Sequence, residues 1–98
     1  MIRHVFVAPV REGVSEKVVD AKVAEMEGLA CAVEGIEGFS VGRSLGFVGP
    51  SGAVAMVVDF ADEATFHAFV SCDLHQRIAA GASEAFEVEG FALAQITL

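Results

Sequence analysis

The side chains able to move a proton near neutral pH are few: three histidines, two cysteines and no tyrosine. His75 is the foremost of them. Imidazole titrates close to neutrality, so a positioned histidine can take a proton from carbon or oxygen. His75 follows Cys72, Asp73 and Leu74 at the start of a short helical turn predicted through Ala80 and capped by Asp73. The helix dipole there disfavours a cation and keeps the ring basic. Its plainer role is a polar rim residue bonded to backbone. His4 falls on a predicted strand with Ile2, Phe6 and Ala8 on the same face. It reads as a core histidine, or as a second base and substrate anchor. His67 lies four residues after Glu63, and an exposed i,i+4 pair explains it. The histidines sit on different elements without His-x-His or HExxH spacing, so no metal is expected. Cys31 and Cys72 are far apart and form no CxxC. They read as reduced, partly buried thiols of a cytoplasmic protein, with Cys72 near enough to His75 to help wall a site.

Phe39, Phe66, Phe69, Phe86 and Phe91 are core candidates. Phe66 and Phe69, on the helix before His75, are also candidate substrate contacts, because pockets are mostly apolar with few polar groups. The stretch from Ser44 to Gly52 is glycine-rich but lacks the lysine of a P-loop. It is an ordinary connection or a lid with Phe47 as its apolar plug.

These residues need a frame. Ninety-eight residues fit one domain, taken as 1–98. A chain this short builds a modest core alone, yet 54% of it is hydrophobic and its mean hydropathy is +0.58. The longest apolar run, Ala53 to Val58, has strand length and falls far short of the roughly 20 residues of a membrane span. The first residues lack the features of a signal peptide. The surplus apolar surface therefore points to a partner, most simply a second copy. The net charge of −8 and six scattered Lys and Arg exclude nucleic acid and anionic membranes as expected partners.

The pattern predicts strands over 2–10, 36–43, 53–60 and 86–97. Ser15 is the expected N-cap of a helix over 16–33. Its apolar stripe is Val19, Val23, Met26, Ala30 and Val33, and Lys17, Asp20, Lys22, Glu25 and Glu27 face water. Gly35 is the expected C′ residue. Asp62 caps a second helix carrying Phe66, Phe69 and Val70 inward. The order β-α-β-β-α-β is that of a ferredoxin-like α+β fold, a four-stranded antiparallel sheet with helices on one face. The third and last strands are apolar at both alternations, whereas a sheet with one wet face alternates. Both faces are thus expected to be covered, one by helices and the other by a second sheet in a dimeric α+β barrel.

Ile2-Arg3-His4-Val5-Phe6, Glu12-Gly13-Val14, Gly35-Ile36, Phe39-Ser40-Val41-Gly42-Arg43, Val57-Val58-Asp59-Phe60, Phe66-His67-Ala68-Phe69 and Leu74-His75-Gln76 occur in this order. In this the chain resembles the stress-responsive A/B-barrel (Dabb) family over nearly its whole length. The resemblance implies a ferredoxin-like homodimer. Some members resemble polyketide cyclases, with a pocket between sheet and helices in each protomer. In those, the last residue of a His-Pro-x-His segment is the general base, assisted by a tyrosine. Here Cys72-Asp73-Leu74-His75 stands in that segment. His75 and His4 are retained, Cys72 and Asp73 replace the first His and the Pro, and Phe69 stands where the tyrosine would be. A phenol-assisted mechanism therefore lacks its donor. The implied function is binding of a small apolar, polyketide-like or carbonyl compound. Cofactor-free acid–base chemistry of cyclase, isomerase or lyase type would rest on His75 and His4. The alternative is a non-catalytic stress-responsive or ligand-binding dimer. A cofactor-free monooxygenase is a weaker alternative, because the chain has no Trp, Tyr or Asn.

Overall fold

The computed structural model describes residues 1–98. Four strands, β1 (Ile2–Ala8), β2 (Ile36–Arg43), β3 (Val54–Phe60) and β4 (Ala92–Thr97), form one antiparallel sheet in the order β2-β3-β1-β4. Three helices, α1 (Glu16–Glu27), α2 (Glu63–Ser71) and α3 (Asp73–Ala80), pack on one face. This is the ferredoxin-like α+β fold.

Local chemistry sets the boundaries. Ser15 caps α1 by accepting from the Val18 amide at 3.3 Å. Asp62 caps α2 by accepting from both the amide and the hydroxyl of Thr65 at 2.8 Å. Those bonds hold the Asp62 carboxyl below the usual range, the backbone bond being the larger cause. Cys72, rather than Asp73, occupies the N-cap position of α3, and Asp73 is its first residue.

Three elements differ from the sequence expectation. The first helix stops at Glu27 and tightens into a 3₁₀ turn over Gly28–Cys31. Three residues per turn bring Leu29, spaced three from Met26, into the core, while Ala30 is only half-buried. Gly35 is consequently no helix C′ residue. It turns the chain into β2 at φ +95°. The first strand ends at Ala8 because Pro9 has no N–H to continue the ladder. The last strand starts at Ala92, not at Phe86. Residues Ala82–Glu84 and Val88–Gly90 are 3₁₀ turns, and Phe86 meets Val10 in a single bridge. Lys22 departs from the expectation as well. It is buried, its ammonium bound to Glu84 and 3.4 Å from Glu25. Its aliphatic stem covers apolar surface while its charge reaches carboxylates across the gap to the 82–84 turn.

The core lies between sheet and helices, around Phe60, Phe69, Leu29, Val19, Val54 and Val58. On the opposite face, cross-strand pairing sets Val5 beside Val57 and Ala94, and Val7 beside Ala55 and Ala92. Arg3 and Asp59 form a bidentate pair there at 2.7 and 2.9 Å. No element of the chain packs on this face. No helix is long and apolar enough to cross a membrane.

Gly35 supplies a test of how α2 is seated. A Cβ at this position meets the Thr65 hydroxyl at 2.7 Å, in a conformation that L residues rarely adopt. Gly35→Ala should lower stability by about 1–3 kcal/mol in urea denaturation. The Gly35→Ala/Thr65→Ala double variant should recover part of that loss, the backbone strain remaining.

Candidate functional site

A cavity of about 350 Å³ lies between the inner face of the sheet and the helices. Its floor comes mainly from β1 and β4, so it sits towards the β4 edge rather than under the centre of the sheet. The walls are apolar except for three side chains: His4, His75 and Gln95.

Strand alternation places His4 inward with Phe6 and Ala8, and it is buried. The β1–β4 register sets Gln95 opposite His4, with Gln95 Nε2 3.0 Å from His4 Nδ1. In this amide orientation Gln95 donates to Nδ1, and the imidazole carries its proton on Nε2. Phe66 meets the His4 ring edge-on at 5.3 Å. His75 projects from the first turn of α3 and is half-buried. Both imidazoles titrate below the ordinary histidine value. Burial is the cause for His75; for His4 burial comes first and the nearby charge of His75 second. The cavity thus holds two neutral imidazoles: His4, whose Nδ1 lone pair is engaged by Gln95 and whose Nε2–H can donate, and His75, which is available to accept a proton.

The remaining sequence candidates occupy different places. Phe66 lines the cavity. Phe69 is fully buried behind it, packed on Phe60 at 5.1 Å and on the His75 ring at 5.2 Å, where it supports the imidazole. Cys72 is half-buried at the α2–α3 junction and does not line the cavity. Phe47 is 88% exposed on the β2–β3 loop, at the sheet edge opposite the cavity. His67 is exposed on α2. No group of three or more His, Cys, Asp or Glu side chains converges anywhere as a metal cage would. Sequence reasoning missed Gln95, although a lone amide in the apolar run Phe91–Ile96 is a visible signal. It also missed Met26, Leu29 and Leu93 as cavity walls, which nothing in their spacing distinguishes from core.

The fold and this cavity define a class: ferredoxin-like α+β proteins with an apolar pocket between sheet and helices. Within it, the chain belongs to the stress-responsive A/B-barrel (Dabb) domain family, whose family model matches residues 2–88. A dimeric ferredoxin-like protein from Thermobifida fusca YX superposes with a TM-score of 0.86 at 21% identity, over 99% of this chain and 90% of that one. A dimeric protein of ferredoxin-like fold from Bacteroides fragilis gives 0.81 at 16% identity, over 99% and 95%. A hydroxynitrile lyase from Passiflora edulis gives 0.82 at 18% identity, over 99% and 92%. No functionally curated protein matches the sequence significantly.

The lowered imidazole values have a consequence for stability. A histidine that binds its proton less readily when folded leaves the unfolded chain with more bound protons below its ordinary pKa of about 6.5. Stability should therefore fall between pH 7.5 and 5.5, before most carboxylates titrate. His75→Asn should shrink that fall, and chemical denaturation at the two pH values measures it.

Proposed function

We propose that this chain is a homodimeric protein that binds a small, largely apolar carbonyl or polyketide-like compound and acts on it without a cofactor, by His75-based acid–base chemistry. The carrying observation is the polar content of the cavity: two imidazoles kept neutral by burial and one amide, in otherwise apolar walls. Such a site offers no fixed charge to an ionised ligand. It suits a neutral compound with one or two oxygens, which His4 and Gln95 would orient while His75 takes or returns a proton. Cyclisation, isomerisation and lyase reactions all need such a base. That a protein of this fold is named a hydroxynitrile lyase favours the lyase form, although fold alone does not carry function. The second reading, a non-catalytic ligand-binding or stress-responsive dimer, is favoured by Phe69, which leaves the His75 ring with an aromatic neighbour that has no hydroxyl.

The homodimer rests on the uncovered face of the sheet. Val5, Val7, Val57 and Ile96 form an apolar surface on it, and two sheets pack face to face about 10 Å apart. Proteins of the same fold that are described as dimeric support a homodimer. The unpaired thiols Cys31 and Cys72 fit a reducing, cytoplasmic setting.

Two experiments test these readings. A panel of β-ketoacyl and hydroxynitrile compounds should be turned over by the wild type, and His75→Ala should lose about 10²–10⁴-fold in kcat. Equal turnover by both would refute the base. Saturable binding of the same compounds without turnover would select the non-catalytic reading. Light scattering on the eluting protein should give twice the 10.2 kDa chain mass, and Val57→Asp, which sets a charge on the apolar face, should give a monomer.

A further inference from the structure

The β2–β3 loop is out of keeping with the rest of the surface. Leu45, Phe47 and Val48 are all exposed, the last two by 88% and 94%. The loop is closed by hydrogen bonds between Ser44 and both Ala53 and Gly52, so this apolar tip is presented on a defined base. It cannot cover its own cavity. The loop leaves the β2 edge of the sheet, the cavity opens at the β4 edge, and β3 and β1 lie between them. Three strand spacings separate the two edges by about 14 Å.

The cavity is itself incomplete. Leu93 lines it yet is 56% exposed, and Gln95 is also exposed. Phe91, packed on Phe6 at 4.9 Å, borders the same opening. All three belong to β4 or its start, whose outer edge has no strand partner.

Strand direction connects the two features. β1 and β2 run one way and β3 and β4 the other. If two copies close a barrel about a two-fold axis parallel to its own, β4 of each lies beside β2 of the other. The two strands are then antiparallel, and both unpaired edges are covered. Arg43, Val54 and Ala8 lie in one row across the sheet, and Val7 pairs with Ala92 at that same end. The loop that follows Arg43 in one copy therefore emerges beside Phe91 and Leu93 of the other.

We propose that the cavity is composite, the 44–52 loop of each protomer laying Phe47, flanked by Leu45 and Val48, over the Phe91–Leu93 opening of its partner. This rests on the homodimer reading and adds to it that each site is finished by a second copy of the chain. The apolar tip then has an apolar counterpart, and the bound compound is shielded from water by a residue its own protomer does not supply.

The test uses full-length protein with Cys31 and Cys72 replaced by Ser. Phe47→Cys, Leu93→Cys and the double variant are treated at low concentration with a short bis-maleimide and resolved on denaturing gels, with light scattering on the untreated samples. The double variant should give predominantly covalent dimer, and either single variant little. In parallel, Phe47→Ser should release the neutral fluorescent probe N-phenyl-1-naphthylamine from the cavity about tenfold faster while remaining dimeric. A dimer that does not cross-link, or an unchanged release rate, overturns the composite cavity and leaves the homodimer standing. A monomer by light scattering of the cysteine-free parent overturns both.

Discussion

A four-stranded sheet has two faces, and three short helices cover one. The architecture follows from how this chain populates the two. The covered face takes the large side chains, Phe60, Met56, Val58 and Phe6, and seats them against α1, α2 and the turns after α3. The open face takes small and β-branched ones, Ala55, Val57, Val5, Val7, Ala92 and Ala94. Small side chains suit close packing of one sheet on another, since a second sheet brings its own side chains into the same roughly 10 Å gap. Arg3 and Asp59 are the ionic exception, and they meet by the β1–β3 register, each holding the other's charge. That mutual satisfaction is what a charged pair requires beside an apolar surface.

The site depends on the same register. β1 is paired on both sides, to β3 and to β4. A slip of one residue in the β1–β4 ladder would turn Gln95 and Leu93 to the opposite face and leave Nδ1 of His4 buried without a partner. Every buried side-chain nitrogen and oxygen is in fact bonded. Lys22 joins two elements of the cavity wall. It ties α1 to Glu84 in the turn that follows α3, and both elements wall the cavity, α1 through Met26 and the turn through Ala82. The bond to Glu84 raises the Lys22 ammonium above its ordinary value, so the tie stays charged across the neutral range.

The chemistry that this cavity supports comes from exclusion. Its walls take water away from two imidazoles, and that loss of solvation keeps both neutral. A neutral imidazole keeps a ring nitrogen with a lone pair, which its cation lacks, and imposes no charge on a ligand. Phe69 steadies His75 through ring contact where a hydroxyl would add a hydrogen bond, so in the proposed chemistry Nε2–H of His4 is the donor left to polarise a carbonyl.

Much of this was legible in the chain itself. Period-two and period-3.6 patterns located the four strands and the first two helices, because burial of one face or stripe imposes those periods on sequence, and the third helix was expected as a short turn from its acidic start at Asp73. The doubled apolarity of β3 and β4 marked a sheet that is apolar on both faces, and the positions of His4 and His75 marked them as inward and near a helix start. The errors fell where periodicity carries no information. Pro9 cut the first strand, a 3₁₀ tightening at Gly28 exchanged Ala30 for Leu29, and the Phe86–Phe91 stretch folded into turns instead of extending β4. Lys22 looked solvated because its partner, Glu84, is 62 residues away. The pairing of His4 with Gln95, spanning 91 residues, likewise belongs to the sheet register. Phe47 and Phe66 are alike as residues, and tertiary structure alone sets one at the cavity and the other at the far edge of the sheet. Local spacing reports which way a side chain points relative to its own element; which distant group it meets is decided when strands choose their neighbours.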